Sequence, residues 1–572
     1  AGLTLKVKDE FHSVKIPSIG QANLRPFQNA DLIARDPAYG EIVCFCERVS
    51  RGEIRDAFAA TQTAPHATSH TAPQTAPQTA PIPAPNLDGL RRRTRAMQGR
   101  CQGFNCHAAL EKELTTKDTA EQEVPQEHKG KNFVELSGLG GKKSAEVLIV
   151  GAGPAGLAAA IELKKQGVRD VLVVDREAEA GGMPRFCDHV GFGRADLRRF
   201  LSGPRYAEVY RARAEQAGVE ILTSTTVDSL PPSPSPLGRG EHITPPLSRG
   251  ERELTVNYTS PNGLGEIEAR AVLLATGVRE RPRAARLIPG ARPQGVFTTG
   301  SLQRFVREQL PVGKRAVIVG AELVSLSALM TLYQAGVKCV GMVTEHPRHQ
   351  IYFPYLPMKW VLADVLTRTP MMTEARVTNI VGQKRVEGVE IAVGRIDNPA
   401  YEQIECDTVI FTGDWIPEHE LARVGGLEMD GGTRGPVVDG AFRTSRVGVF
   451  AAGNLLRGAA TADQCAIEGI SAGRQIARFL QDDRWPQSPR KIRVEAPLNW
   501  VCPNVIDPLE SGHFQFQSQE FRKHVQVQIV QGEVVLAQRP FHLLVNEIMK
   551  FPGDWTKKVD PKGKEVWIKV VE

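Results

Sequence analysis

Apolar runs that end at glycine and continue into an apolar helix recur three times along the chain. The first covers residues 146–167 (EVLIVGAGPAGLAAAIELKKQG), the second 315–336 (RAVIVGAELVSLSALMTLYQAG) and the third 448–480, which opens with GVFAAGN. Each pattern predicts a strand, a tight turn and a helix, the repeating unit of a parallel α/β sheet. In residues 490–572 apolar and polar positions alternate, as in VQVQIVQGEVVL, which predicts a small β-rich C-terminal domain.

The first of these turns carries a dinucleotide-binding pattern. Gly151, Gly153 and Gly156 follow the strand at the spacing G-x-G-x-x-G. The first permits the turn, the second lets a pyrophosphate approach the backbone, and the third lets the helix pack closely on the strand. The next strand, VLVVD, ends at Asp175, where a carboxylate can bind the ribose hydroxyls of an adenosine.

Three later motifs make FAD the predicted dinucleotide. They are a GG pair, an ATG at a strand end and a GN at the third strand end: Gly181, Gly182, Thr276, Gly277, Gly453 and Asn454. With them, residues 145–485 resemble the two-dinucleotide-domain flavoprotein oxidoreductases, the glutathione-reductase-like and thioredoxin-reductase-like proteins. The resemblance implies that these motifs close around FAD. Asn454 departs from the family, which usually has an Asp there to accept a hydrogen bond from the ribitol.

The resemblance also implies an inserted second domain that carries NAD(P)H, but its glycine motif is altered. Gly320 is retained, whereas Glu322 and Ser325 replace the second and third glycines. Glu322 would bring bulk and negative charge to the place of a pyrophosphate, while Glu345 stands where a ribose-binding acid would. We expect a Rossmann-type fold with a degraded pocket, and NAD(P)H binding stays open.

Four of the nine cysteines form two close pairs, Cys44 and Cys46 in CFC, and Cys101 and Cys106 in CQGFNC. Cysteines at i and i+2 cannot usually form an unstrained disulfide. Four thiolates are the number that a structural zinc ion or an iron–sulfur cluster requires. Helices are predicted to begin after each pair, and two helix N-termini near four thiolates favour an anionic cluster.

The stretch CFCERVSRGEIRDA…LRRRTRAMQGRCQGFNC resembles the bacterioferritin-associated-ferredoxin-like 2Fe–2S module found in anaerobic glycerol-3-phosphate dehydrogenase large subunits and related dehydrogenases. This resemblance implies that Cys44, Cys46, Cys101 and Cys106 hold a 2Fe–2S cluster, with zinc as the alternative. In that family the module follows an FAD domain that oxidises the substrate. We therefore expect either the trailing part of a longer polypeptide or a subunit whose partner supplies that domain.

Composition narrows the classes of function. The 572 residues are 41% hydrophobic and 24% charged, with a formal net charge of +6, values typical of a soluble protein of several domains. Neither this charge nor the 6% aromatic content indicates nucleic-acid binding. No membrane span or signal peptide is expected, and cysteines grouped as ligands favour a reducing cytoplasm.

These patterns predict a fold of the α/β class with seven segments. They are a connector (1–40), a 2Fe–2S-binding module (41–115) with a disordered insertion (61–85), a linker (116–144), the first part of an FAD-binding domain (145–280) with a loop insertion (231–253), an NAD(P)-binding-like domain (281–400), the second part of the FAD-binding domain (401–487) and a β-rich domain (488–572).

The predicted function is that of an FAD- and 2Fe–2S-dependent oxidoreductase subunit in a hetero-oligomer. It would relay electrons from a partner dehydrogenase, acting on glycerol 3-phosphate or a similar small hydroxy or amino acid, to an acceptor that the sequence does not identify. A self-sufficient NAD(P)H-dependent flavin reductase and a zinc-stapled scaffold without activity are the alternatives. Cys187 lacks a partner for disulfide chemistry, and no residue stands out as a catalytic acid or base.

Overall fold

The computed structural model describes residues 24–59, 86–118, 141–230, 253–394, 397–486, 490–507 and 512–571. The predicted insertion 61–85 lies outside these ranges, as do residues 231–252 of the second insertion. The first 23 residues of the predicted connector and most of the predicted linker also fall outside them.

A seven-stranded sheet forms the centre of the first Rossmann-type unit. Its strands, in spatial order, are Glu220–Leu222, Val171–Val174, Lys142–Val150, Gly263–Leu274, Leu254–Ser260 and Thr226–Ser229, and Val449–Ala451 pairs with the end of Gly263–Leu274. Five of the seven strands run parallel, as the apolar runs predict: Glu220–Leu222, Val171–Val174, Lys142–Val150, Gly263–Leu274 and Val449–Ala451. Helices Pro154–Lys165, Gly203–Gln216 and Ala462–Asp482 bury their apolar faces in one core against this sheet.

A second parallel sheet is formed by the segment inserted between residues 274 and 449. Its order is Val296–Thr298, Thr408–Phe411, Arg315–Val319, Lys338–Val343 and Met371–Met372. Its helices are Thr299–Arg307, Leu323–Gln334, Leu356–Lys359 and the π-helix Trp360–Leu366, and a three-stranded antiparallel sheet (Ala375–Val381, Gly388–Val393, Ala400–Glu405) packs beside it. The predicted insertion of one Rossmann-type unit within another is confirmed.

An antiparallel ribbon connects the two units. It consists of Val278–Glu280 and Trp415–Pro417, so the chain leaves and re-enters the first unit side by side. The short helix Glu420–Val424 follows the ribbon.

The C-terminal part is β-rich, as its alternating pattern predicts. One sheet has the order Val505–Ile506, Arg490–Val494, Val566–Val571, Arg522–Gln531 and Val534–Leu543, and the other Leu498–Cys502, His513–Ser518 and Met549–Pro552. Their facing side chains form one core around Trp555, Phe516 and Phe551. Gln515 from this part donates to Glu468 of helix Ala462–Asp482 at 3.2 Å.

The residues around the paired cysteines fold into a small helical unit, here called the cysteine module (described residues 42–59 and 86–118). Strands Ile42–Cys44 and Val49–Ser50 precede helices Arg51–Ala59, Leu87–Thr94 and His107–Asp118. A capping box begins helix Arg51–Ala59, since Ser50 N donates to Glu53 Oε2 at 2.8 Å and Glu53 N donates to Ser50 Oγ at 3.3 Å.

The predicted connector contains regular secondary structure in its described part. Helix Ala30–Arg35 forms there, and Asn29 caps it by accepting from Leu32 N at 3.1 Å. Six residues are too few to show a helical period, so only the cap was visible in the sequence. Among the described helices, none combines the length and hydropathy that a membrane crossing requires.

Candidate functional site

The first turn (residues 150–156) lies at the carboxyl end of strand Lys142–Val150. Gly151 has a φ of 111°, and a Cβ there would stand 2.3 Å from the carbonyl oxygen of Ala275. A Cβ on Gly156 would stand 1.9 Å from the carbonyl oxygen of Gly151, so helix and strand approach as closely as only glycine permits. A Cβ on Gly153 would meet no atom within 4 Å. The turn is therefore closed by protein at two glycines and open at the middle one, beside a helix N-terminus, as a pyrophosphate site requires.

Asp175 lies beside this turn, at the end of strand Val171–Val174. Its Oδ2 accepts from Ala152 N at 2.6 Å and its Oδ1 from Glu177 N at 2.8 Å. Burial raises the pKa of this carboxyl group. Because each carboxylate oxygen can accept two hydrogen bonds, Asp175 can still bind a ribose hydroxyl, and that contact stays a prediction.

The GG pair folds back onto the first turn. Gly181 N donates to the carbonyl oxygen of Ala152 at 2.8 Å, and a Cβ on Gly182 would lie 2.9 Å from Cα of Gly153. The pair is followed by the short 3-10 helix Met183–Phe186. The GG pair thus forms one wall of the opening at Gly153.

The ATG and GN motifs come to the same edge of the sheet from the other side. Thr276 donates its hydroxyl proton to the carbonyl oxygen of Glu418 at 2.8 Å. Asn454 Oδ1 accepts from Ala460 N at 2.8 Å and from the Cys465 thiol at 3.1 Å. A Cβ on Gly453 would lie 2.8 Å from Cβ of Ala155 in the first turn. The predicted nucleotide residues are thus gathered at the carboxyl ends of four neighbouring strands.

The two cysteine pairs, far apart in the sequence, converge. Sγ of Cys46 lies 3.9 Å from Sγ of Cys44 and 3.4 Å from Sγ of Cys101, and Cys106 hydrogen-bonds to both Cys44 and Cys101. Two sulfurs bound to the same metal ion, with metal–sulfur bonds of about 2.3 Å, would lie about 3.8 Å apart. We call these four residues the thiol cluster.

Hydrogen bonds within the thiol cluster lower the pKa of two of its thiols and raise the pKa of the other two. Bonds from Cys106 and Cys46 lower the pKa of Cys44, and bonds from the same two thiols lower the pKa of Cys101. The pKa values of Cys46 and Cys106 are raised in turn. In the described ranges, no group of three or more His, Cys, Asp or Glu side chains has the arrangement of a metal centre. The thiol cluster therefore brings four sulfur ligands together, and its binding of a metal stays a prediction.

The loops that carry the thiol cluster are shaped closely around its sulfurs. The Cys44 sulfur accepts from the backbone N–H groups of Met97 and Glu47, and the Cys101 sulfur from those of Gly103 and Asn105. Such N–H···S bonds stabilise thiolates and tune the potential of a bound cluster. A Cβ on Gly99 would stand only 2.4 Å from Sγ of Cys46.

Two aromatic side chains of the cysteine module contact the first Rossmann-type unit and the domain inserted in it. The guanidinium of Arg176, next to Asp175, lies 4.5 Å from the centroid of the Phe45 ring, between the first two cysteines. Phe104, between the second two, packs so closely on Gly300 that a Cβ there would stand 2.6 Å from its ring, and Met183 lies at the same point. The cysteine module thus contacts Arg176, which follows Asp175, and lies beside Met183, which follows the GG pair.

A buried ionic network joins the cysteine module to the ribbon between the units. Arg279 is 4% exposed and lies 3.3 Å from Glu418 Oε2 and 2.9 Å from Glu420 Oε1. Arg100, beside Cys101, pairs with the same Glu420, and Arg176 lies 3.7 Å from Glu418. The positions of the thiol cluster and of the first turn are therefore fixed by shared carboxylates.

Residues 145–469, more than half of the chain, match the model of the family described as pyridine nucleotide-disulphide oxidoreductase. The chain belongs to this family. It is accordingly an FAD-dependent oxidoreductase with the Rossmann-type FAD/NAD-binding fold of that family.

Individual relatives of this oxidoreductase are distant. The A subunit of opine oxidase from Agrobacterium tumefaciens (strain Ach5) is 28% identical over 334 residues, 54% of this chain and 61% of its own length. The alpha subunit of sarcosine oxidase from Rhizobium meliloti (strain 1021) is 24% identical over 416 residues, 69% of this chain and 37% of its own. The match spans about three fifths of the opine oxidase protein. Thioredoxin reductase of T. acidophilum is similar in structure, with a TM-score of 0.47 and 22% identity over 59% of this chain and 98% of that one.

The second turn (residues 319–325) carries the altered glycine motif of the inserted unit. Gly320 keeps a positive φ of 140°, and Glu322 caps helix Leu323–Gln334 with its own carboxylate. Glu345 is exposed just beyond the end of strand Lys338–Val343. The unit keeps its fold while its turn is chemically different from the first.

Cys187 takes part in a hydrogen-bonded chain between the oxidoreductase's two Rossmann-type units. Its thiol donates to Gln303 Oε1 at 3.3 Å, Gln303 Nε2 donates to Ser327 Oγ at 2.8 Å, and Ser327 Oγ lies 2.7 Å from His189 Nε2. Burial raises the pKa of Cys187 to about 12, so the group is a protonated thiol at neutral pH. Arg185, which the sequence groups with Cys187, pairs instead with Glu177 and Glu179.

Several residues of the site carry no signal in the sequence. The partners of Arg176, Arg279 and Glu420 lie more than a hundred residues away in the sequence. The pair of Arg279 and Glu420 is formed across the ribbon. Glu280 is 1% exposed, accepts from Gly300 N at 2.8 Å, and has a pKa raised by burial to about 7. Only the position of Glu280, three residues after the ATG segment, could have drawn attention to it.

Proposed function

We propose that this oxidoreductase is an electron-transfer flavoprotein that carries FAD at the first turn and a 2Fe–2S cluster on Cys44, Cys46, Cys101 and Cys106. The observation that carries the proposal is the convergence of the four sulfurs next to the nucleotide site. When bound, FAD supplies two-electron chemistry and the cluster supplies one-electron transfer.

The proposed binding roles follow the contacts of the residues. Gly151, Gly153 and Gly156, with Gly181 and Gly182, shape the turn for the pyrophosphate, and Asp175 orients the adenosine ribose. Thr276, Gly277, Gly453 and Asn454 close around the flavin end. The N–H groups of Met97 and Gly103 stabilise the negative charge that a bound cluster would place on the sulfurs.

The domain limits predicted from the sequence belong to the same proposal. The 2Fe–2S-binding module, the two parts of the FAD-binding domain, the inserted NAD(P)-binding-like domain and the C-terminal domain would each keep the limits given above. Two features support this division: the sheet formed by the segment inserted between residues 274 and 449, and the separate C-terminal core.

We further propose that the chain works as one component of a hetero-oligomer and takes electrons from a partner dehydrogenase that oxidises glycerol 3-phosphate or a similar small hydroxy or amino acid. Two relatives are named as subunits of an opine oxidase and a sarcosine oxidase, which supports such an assembly. None of the nine cysteines, all within the described residues, forms a disulfide bond, which fits a reducing cytoplasm.

An anaerobic reductive titration of the purified chain tests the cofactor content. FAD takes up two electrons and a 2Fe–2S cluster takes up one, so about three electrons per chain are expected. Cys46→Ser is expected to take up about two, with its flavin retained. Cys406→Ser is the control, because Cys406 lies in the core of the inserted unit and takes no part in the thiol cluster. Two electrons in the unmodified protein would contradict the cluster and favour zinc.

A further inference from the structure

The two glycine turns of this chain are held by two matching pairs of backbone hydrogen bonds. In the first, Gly151 N donates to Val174 O and Gly181 N donates to Ala152 O, both at 2.8 Å. In the second, Gly320 N donates to Val343 O and Gln350 N donates to Ala321 O, again at 2.8 Å. Glu322 therefore holds the position of Gly153, and Ser325 that of Gly156.

The side chain of Glu322 occupies the groups that a pyrophosphate would use. Its Oε2 accepts from the backbone N–H groups of Val324 and Ser325, the latter at 3.4 Å, and its Oε1 accepts from the hydroxyl of Ser325 at 3.1 Å. These N–H groups belong to the first turn of helix Leu323–Gln334, where the helix dipole favours an anion. At Gly153 the equivalent space holds no protein atom within 4 Å of an ideal Cβ.

The neighbours of Glu322 hold its carboxylate in this place. Ser325 Oγ lies 2.8 Å from Thr412 Oγ1 and also accepts from Glu322 N at 3.2 Å. Gly413 packs against the carboxylate, since a Cβ there would stand 3.1 Å from Oε1. Glu322 is only 8% exposed, so its carboxylate is a built part of the turn and not a mobile surface group.

Positive charge lies close behind this arrangement. The guanidinium of Arg286 donates to the carbonyl oxygens of Thr412 and Gly413, each at 2.9 Å. Arg286 thus stands next to Gly413, which packs against Glu322, and next to Thr412, which contacts Ser325. At the second turn the Glu322 carboxylate thus has backbone N–H donors on one side and the Arg286 guanidinium nearby. A bound phosphate would interact with the same kinds of group.

We infer that the carboxylate of Glu322 substitutes for a dinucleotide pyrophosphate and closes the second nucleotide site, so that the inserted domain does not bind NAD(P)H. A dinucleotide would have to displace the helix cap and bring its phosphates against a buried carboxylate, and both changes cost free energy. The inserted domain serves instead as the platform for the cysteine module. There the ring of His107 stacks 5.6 Å from Phe297 and meets Phe305 edge-on at 4.6 Å.

This inference deepens the proposed function, because it leaves a partner and not NAD(P)H as the electron donor, yet its evidence does not depend on either cofactor. The test is isothermal titration of the FAD-loaded protein with NADH, NADPH and ADP-ribose. The unmodified protein is expected to show no binding at millimolar nucleotide. Glu322→Gly, which restores the motif of the first turn, is expected to bind NADH or ADP-ribose at least about tenfold more tightly.

Two further variants separate charge from bulk and guard against misfolding. Glu322→Gln keeps the size and an accepting oxygen, so it should stay folded and bind nucleotide only weakly. Ser325→Gly keeps the carboxylate and should remain closed. Micromolar binding of NADH by the unmodified protein would overturn the inference, and so would a folded Glu322→Gly that binds no better. Neither result would change the three-electron titration, so the proposed function stands or falls separately.

Discussion

The guanidinium of Arg176 lies over the ring of Phe45, 4.5 Å from its centroid. Phe45 separates Cys44 from Cys46, and Arg176 follows Asp175 at the first turn. This contact places the cysteine module against the candidate nucleotide site, and the contact of Phe104 with Gly300 places it against the inserted domain. In the proposed function these two contacts set the route between flavin and cluster.

Removing the Phe45 ring tests the role of this contact. A cation–π contact of this kind is worth about 1 kcal/mol, roughly fivefold in a docking equilibrium. Phe45→Ala is therefore expected to slow electron transfer between flavin and cluster severalfold while iron and FAD stay bound, as measured by stopped-flow absorption under anaerobic conditions. Phe200→Ala is the control, because Phe200 is 73% exposed. Equal rates in the two variants would show that the contact is not used.

Gly153→Ala is expected to lose FAD without losing the fold. Gly153 has a φ of −79°, which any residue adopts, and a Cβ there meets no protein atom within 4 Å. The added methyl group enters only the space assigned to the pyrophosphate, so the affinity for FAD should fall at least about tenfold. Flavin fluorescence after dialysis measures it. Gly218→Ala, at a φ of 73° with open space around it, should cost about 1 kcal/mol of stability and keep its FAD.

Arg279 and Arg100 share Glu420 but differ in burial, which predicts unequal effects on stability. Arg279→Met leaves Glu418 and Glu420 facing each other with their main buried counter-ion gone, at a cost of about 3 kcal/mol. Arg100 is 43% exposed, so Arg100→Met should cost less than about 1 kcal/mol. Thermal unfolding of both variants at one pH compares them. A larger loss for Arg100→Met would contradict the assigned burial of the network.

The pKa of Glu280 predicts a pH-dependent stability. Burial raises this pKa to about 7 from an ordinary value of 4.5. The protonated form is favoured in the folded state, so its stabilising contribution is complete below pH 4.5 and is lost as the pH rises through 7. Relative to Glu280→Gln, the unmodified protein should lose on the order of 3 kcal/mol between pH 5 and pH 8. If the melting temperatures of the two proteins changed by the same amount over this pH range, the raised pKa of Glu280 would be contradicted.

What the sequence could and could not predict depends on the distance between the interacting residues. The glycine spacing around Gly151 is local, and the sequence predicted both turns and their sheets from it. It also predicted that Glu322 alters the second turn, but not that the carboxylate bonds back to Val324 and Ser325. The contact of Phe45 with Arg176 joins residues 131 positions apart and has no local pattern, so only the folded chain displays it.

The most direct test of the central claim is the content of iron and acid-labile sulfide in the anaerobically purified protein, with the electron paramagnetic resonance spectrum of its reduced form. About two irons and two sulfides per chain, with the signal of a reduced 2Fe–2S cluster, are expected. Cys101→Ser should lose all three while keeping FAD, and Cys406→Ser should keep them. Zinc in place of iron, or iron that survives in Cys101→Ser, would contradict the assignment of a 2Fe–2S cluster to the thiol cluster.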